Sequence, residues 1–189
     1  MGFEVLESLE KPTPLGADVF NKGRISDENI NLLCEILRNF RQKMDEYGVV
    51  MCKAIVASSV REAQNADILI ERLEHATGIR VDLFEGIDGA RLDYLTATRD
   101  LPPEFGFKVR KTLIADIGIG VCQVSLYEKG ELCFTQTIRV GTLRIQEELP
   151  SAGSGPGMTE LMWPFMKRSF VELEHFSSSL SAECLVAMG

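Results

Sequence analysis

The sequence predicts an α/β protein built as two lobes, and three observations carry that expectation. Residues 49–100 run strand, helix, strand, helix; Leu101-Pro102-Pro103 breaks the rhythm; an antiparallel run of strands follows. The division is expected near residue 104, with a first lobe over 1–104 and a second over 105–189.

In chain order, residues 4–8 alternate weakly, as a short strand would, and Pro12, Pro14 and Gly16 mark a loop. Ser26, followed by Asp27 and Glu28, is a helix start: its hydroxyl can cap free N–H groups and both acids face the positive end of the dipole. Ile30, Leu33, Leu37, Phe40 and Met44 then form one apolar helix face ending at Gly48. Residues 49–57 are of strand type. A helix through Ala66, Leu69, Ile70 and Leu73 should stop at Gly78. Residues 81–84 form a second buried-type strand, and Ala90, Leu92 and Leu95 belong to another helix. Two strands joined through a helix imply a parallel sheet.

Past Pro103, residues 112–115, 122–128 and 131–140 read as strands, with Lys129-Gly130 as a tight hairpin turn. In the third, Leu132, Phe134, Ile138 and Val140 share one face, and Cys133, Thr135, Thr137 and Arg139 the other. A Ser/Gly-rich loop over 151–157 precedes a helix lined by Met162, Met166, Phe170 and Leu173, whose regular part should begin near Pro164. The run Ser177-Ser178-Ser179 should end it, and a strand opens at Cys184.

Composition narrows the functions. At 189 residues and 21.0 kDa, 45% hydrophobic and 25% charged, the chain can bury a core. A net charge of −8 gives no footprint for double-stranded nucleic acid, and no apolar run is long enough for a membrane span. Cytoplasmic residence is expected. Five cysteines without a Cys-x-x-Cys pair argue against a disulfide framework or a zinc site, and most are expected to be buried thiols. His75 and His175 have no neighbouring ligand set.

Three stretches are candidates for chemistry. Asp116-Ile117-Gly118-Ile119-Gly120 lies between two strands, not at a strand-to-helix junction, which argues against a dinucleotide fingerprint. It is either a structural tight turn or a strand end where Gly118 and Gly120 let N–H groups approach phosphate and Asp116 holds a cation. Ala57-Ser58-Ser59-Val60-Arg61-Glu62-Ala63 ends a strand and starts a helix. Ser58, Ser59 and Arg61 suit an oxyanion there, or equally a cap and an ion pair. In Gly86-Ile87-Asp88-Gly89-Ala90-Arg91-Leu92, Asp88 is either a base or an ordinary cap.

Taken in order, these three stretches, together with Gly141-Thr142-Leu143-Arg144 and the upstream run from Leu15-Gly16-Ala17-Asp18 to Ser26, resemble consecutive motifs of the exopolyphosphatase/guanosine pentaphosphate phosphohydrolase (Ppx/GppA) family. The resemblance implies an α/β, two-lobed, actin-like (ribonuclease H-like) fold, here with both lobes incomplete and mixed parallel and antiparallel sheets with flanking helices. It implies Mg²⁺-dependent cleavage of terminal phosphoanhydrides of polyphosphate or guanosine pentaphosphate. Ser58, Ser59, Arg61, Gly118 and Gly120 would contact phosphate and Asp116 the metal. A homodimer is the protein partner considered.

The family's opening Asp-x-Gly-x-Asn-Ser turn is expected to precede this chain, and residues 184–189 match the approach to a Gly-Gly-Thr turn, which implies a piece of a longer protein. Inside the chain several departures bear on chemistry: Ile119 and Val121 add bulk where backbone N–H groups should approach phosphate, and both hydroxyls of the family turn are lost. The resemblance places the family's catalytic glutamate at Gly89 and the last residue of its Asp-Ile-Gly-Gly-Gly-Ser-Thr-Glu turn at Gln123. Asp88 is then the candidate substitute base, and the chain alone is expected not to turn over. The alternative is a non-catalytic relative that binds a phosphate compound or regulates a partner.

Overall fold

The computed structural model describes residues 4–56, 58–84, 86–149, 158–174 and 181–189, which divide into two compact units, Met1–Leu83 and Phe84–Gly189. The expectations for residues 151–157, for Ser177-Ser178-Ser179 and for His175 lie outside the described residues.

The first unit contains α1 (Leu15–Lys22), α2 (Asp27–Glu46), β1 (Ala54–Val56), the single turn α3 (Ser58–Arg61), α4 (Ala66–Thr77) and β2 (Val81–Leu83). Its two strands pair in parallel, Ala54 with Val81 and Val56 with Leu83. Ser26 caps α2 by accepting the Asn29 N–H, and Gly78 ends α4 in the left-handed region at φ 67°. Ile25, Ile30, Leu69 and Leu73 form the buried centre. Asn65 locks the loop before α2 to the start of α4: it accepts the Ile25 N–H at 2.9 Å and donates to the Ile25 carbonyl at 2.8 Å.

Three sequence expectations need correction here. Residues 4–8 form no strand and Val5 and Leu6 are exposed, because an extended segment is a strand only when another ladder accepts it. Pro14 precedes a helix, not a continuing loop; its fixed φ suits a helix start and Asp18 inside α1 gathers the polar groups around it. The strand expected over 49–57 shrinks to three residues and leaves Val50 and Met51 exposed, matching the three residues that β2 offers.

The second unit holds α5 (Gly86–Asp100), β3 (Lys111–Ile117), β4 (Cys122–Glu128), β5 (Glu131–Ile138), α6 (Thr142–Glu148), α7 (Met158–Glu174) and β6 (Cys184–Met188), with a short 3₁₀ turn over Pro103–Phe105. The sheet order is β5-β4-β3-β6, antiparallel through the hairpins and parallel between β3 and β6. Lys129 (φ 54°) and Gly130 (φ 86°) make the tight turn, the positive-φ pair that matches strand twist.

One sheet face packs Cys122, Val124 and Ile138 against Met162, Phe165, Met166 and Phe170 of α7. The other packs Ile114 and Tyr127 with Ala97 and Tyr94 of α5. By contacts α5 therefore goes with the second unit, whereas the change of rhythm in the sequence had set the boundary near residue 104.

The structure corrects or completes the sequence expectation at three further places. A bulge at Leu126/Tyr127 sets Leu132 opposite Tyr127, so Leu132 joins the α5 side and leaves the face of Ile138. On α5 the buried residues are Ala90 and Ala97, while Leu92 and Leu95 are exposed, because small residues let the helix lie close to the sheet. α7 runs straight through Pro164 from Met158, its packed apolar stripe outweighing one lost backbone bond. Cys34 and Cys122 are buried, but Cys52 and Cys133 are exposed. No described helix is long and apolar enough to cross a membrane.

Candidate functional site

The sequence motif at Asp116 occupies the end of β3, where β6 ends alongside it in parallel: Asp116 pairs with Met188. Strand ends of this kind are where α/β folds collect their loops. Gly118 closes the β3–β4 turn by donating its N–H to the Val121 carbonyl at 2.9 Å. The start of α6 grips that turn from outside: Thr142 N–H donates to the Gly118 carbonyl, Leu143 N–H to the Ile119 carbonyl, and the Arg144 guanidinium Nε to the Gly120 carbonyl at 2.7 Å. Arg144 is buried. A Cβ at Gly141 would collide with the backbone of Ile119 and Gly120, so glycine is required for this approach. The Gly118 N–H is thus engaged within the turn, and the motif Gly141 to Arg144 is the turn's support.

Above the same end of the sheet lies the first turn of α5. Register sets Gln123 of β4 opposite Asp116 and Thr137 of β5 opposite Gln123. Gln123 Nε2 donates to the Gly86 carbonyl, and lies 3.3 Å from Thr135 Oγ1, which in turn meets Ser125 Oγ at 3.0 Å. A Cβ built at Gly89 would stand 2.7 Å from Gln123 Oε1. Gly89 and Gln123, two of the positions at which the sequence departs from its family resemblance, are therefore in contact. Farther along, the Tyr127 hydroxyl donates to the Ala90 carbonyl at 2.7 Å, and Tyr94 stacks on Tyr127 with centroids 4.5 Å apart.

Asp93, which the sequence reading did not single out, lies one turn beyond Gly89 on α5. Burial, and then the charge of Asp116, push its carboxyl up to about 6. Two further groups feel the same acidic corner. Burial and then Asp116 raise the Cys122 thiol, while burial, then Asp93 and Tyr94, push the Tyr127 phenol up to about 12. A carboxyl poised near neutrality beside a second carboxylate can hold a proton, or share a cation that relieves the repulsion. The signal available in sequence was the spacing: an acid at i+4 from Gly89 on a helix whose inward face is glycine and alanine. Asp88, the candidate base, is exposed on the first turn of α5.

Ser58, Ser59 and Arg61 belong to the first unit and form the turn α3 directly after β1. The side chains of Ser58 and Ser59 lie outside the described residues; Arg61 is exposed. Among the described residues no three His, Cys, Asp or Glu side chains converge as a metal cage. The open groove between α2 and α4 contains none of the candidate residues; Asp27, Glu35, Arg38, Arg72 and His75 line it with mixed charge.

Comparison with known proteins bears directly on this arrangement. A sequence model described as the Ppx/GppA phosphatase family matches residues 1–172. Exopolyphosphatase 1 of Mycobacterium leprae is 28% identical over 137 residues, 71% of this chain and 39% of that protein. Exopolyphosphatase 1 of Mycobacterium tuberculosis is 26% identical over 137 residues, 71% of this chain and 38% of that protein. The chain thus spans about two fifths of the length of the curated relatives it matches. Among solved structures, an exopolyphosphatase from Cytophaga hutchinsonii superposes with a TM-score of 0.74 at 24% identity, over 92% of this chain and 55% of that one. The Aquifex aeolicus member of the Ppx/GppA family gives 0.66 at 22% identity, over 93% and 54%. The actin-like α/β fold is shared with these structures.

Proposed function

The chain belongs to the Ppx/GppA phosphatase family, and from that membership we propose that it binds the phosphoanhydride substrate of a phosphohydrolase, inorganic polyphosphate or guanosine pentaphosphate, whether or not this chain alone turns it over. The family match over residues 1–172 is the observation that carries this reading. Cytoplasmic residence is part of the same proposal.

Mg²⁺ is the implied cofactor, and the donor chemistry fits it. Asp116 and Asp93 offer hard oxygen donors from two elements of one unit, and a cation that keeps most of its waters needs only one or two carboxylates. When bound, Mg²⁺ supplies charge neutralisation at the phosphate oxygens. Asp116 would hold the ion, and Asp93, whose carboxyl feels the Asp116 charge, would be the second donor considered. Arg61 would present paired N–H donors to phosphate oxygens, with the hydroxyls of Ser58 and Ser59 adding further donors. Because the Gly118 N–H is engaged by Val121, the proposed part of Gly118 and Gly120 is to leave room for the phosphate.

A second reading, binding without turnover, is favoured by one contact. Gly89 offers no proton acceptor, and the amide of Gln123 fills the space beside it. Asp88 stays the nearest sequence candidate for a substitute base. For the 189-residue chain the proposal is therefore retention of the phosphate ligand with no release of phosphate. Isothermal titration of tripolyphosphate with Mg²⁺ at fixed low salt tests the binding half. Wild type should saturate, and Arg61→Ala should lose roughly 1.5–3 kcal/mol, the range of a charge-assisted hydrogen bond. Equal affinities would remove Arg61 from the site.

A further inference from the structure

We propose that Gln123 is a positioning residue, whose amide holds the first turn of α5 against the sheet in a space kept free by Gly89, and so sets where Asp93 stands relative to Asp116. Its functional half rests on the phosphohydrolase reading; its structural half does not. Gln123 leaves the same sheet position as Asp116, its cross-strand partner. Its Nε2 reaches the Gly86 carbonyl, which can accept it in addition to a bond within the helix. Its Oε1 lies where a side chain at position 89 would begin, 2.7 Å from an added Cβ. Real Cβ atoms do not approach that closely, so a side chain at 89 displaces the Gln123 amide, the end of its side chain, from its bond to Gly86.

The next turn of α5 is tied independently, through the Tyr127 hydroxyl to the Ala90 carbonyl and through the Tyr94–Tyr127 stack. Gln123 is thus a polar side-chain tie at the first turn. Asp93 follows Gly89 by four residues, so both project from one face of the helix and a lift of the first turn tilts Asp93 with it. Thr137 lies under Gly86 and Gln123 under Gly89: added Cβ atoms there would meet Thr137 Oγ1 at 3.2 Å and Gln123 Oε1 at 2.7 Å.

The test is the sign of a stability change in two backgrounds. In a helix with free space, glycine to alanine stabilises by restricting the unfolded chain. If the interlock is real, Gly89→Ala lowers Tm in the otherwise unchanged protein and raises it in a Gln123→Ala background. The same sign in both backgrounds overturns the proposal. Should Gly89→Ala not fold, recovery of folding in the double variant supports the interlock equally, and no recovery overturns it.

The positioning role is read separately, from the side-chain carboxyl ¹³C resonance of Asp93 in metal-free protein and from the affinity for Mg²⁺–tripolyphosphate. Gln123→Ala should move the resonance and weaken affinity by about tenfold, as for one well-placed hydrogen bond. An unmoved resonance overturns the positioning role. A sign reversal and a moved resonance in a protein that binds no tripolyphosphate would leave Gln123 in its role and remove the phosphohydrolase reading instead.

Discussion

The two units treat a carboxylate in opposite ways. In the first, Asp18 is buried and fully used: it accepts from Lys22 Nζ at 2.7 Å, from the Ser26 hydroxyl and N–H at 2.6 and 2.9 Å, and from Asn29 Nδ2 at 2.6 Å. Those donors, Lys22 foremost, hold it well below the usual carboxylate range against the opposing effect of burial. In the second, Asp93 is part-buried beside another acid and its carboxyl is pushed up to about 6. One acid organises a helix start; the other, on α5, stores unfavourable charge. The difference locates the chemistry, because a fully satisfied carboxylate is stabilising and inert, whereas an under-compensated one is available to a proton, a cation or a ligand.

Removing the first acid should have the larger effect. Asp18→Ala leaves the Ser26 N–H, Asn29 and Lys22 unpaired around a hole, and is expected to cost about 3 kcal/mol in urea unfolding. The depressed folded-state value also fixes a direction. Stabilisation by Asp18 is present above pH 4, near its unfolded value, and is lost as pH falls, so wild type and variant should converge in acid. Parallel pH profiles would erase the contrast between the two units.

Removing the second should go the other way and be smaller. A raised folded-state value means that Asp93 favours folding most when protonated, and that this advantage is lost as pH rises from about 4 through 6. Asp93→Asn should therefore stabilise at pH 8, by roughly 1–2 kcal/mol after allowance for solvent screening, and should leave stability unchanged below pH 4. Hydrogen exchange of β4 amides reads this within the second unit. Destabilisation at pH 8 would mean that Asp93 is satisfied by a partner and is not the stored charge.

Much of the architecture was legible in the residues. The 3,4 spacing and Ser26 cap gave α2, Gly78 gave the end of α4, and Lys129-Gly130 gave the β4–β5 turn, because each is dictated by local geometry. The ordered motifs gave the family. What was not legible depended on partners distant in sequence. α1 was hidden behind Pro12 and Pro14, because the groups that Asp18 serves include Ser26 and Asn29 beyond the helix. The inward face of α5 could not be read from its apolar residues, since Ala90 and Ala97 are buried while Leu92 and Leu95 are exposed. Gly89 and Gln123 were visible as two separate departures from the family pattern. Only the register of β3 with β4, and the descent of α5 onto it, makes them a single contact.

On the proposed reading, the chain keeps a phosphate site whose catalytic corner has been closed by Gln123 against Gly89. Incubating the 189-residue chain with Mg²⁺ and tripolyphosphate at concentrations that saturate binding, and following inorganic phosphate against a protein-free control, tests it most directly. Saturable binding is expected, with phosphate release indistinguishable from the control. Steady Mg²⁺-dependent release, proportional to protein and abolished by Asp88→Asn, would contradict it and show that Asp88 serves as the base.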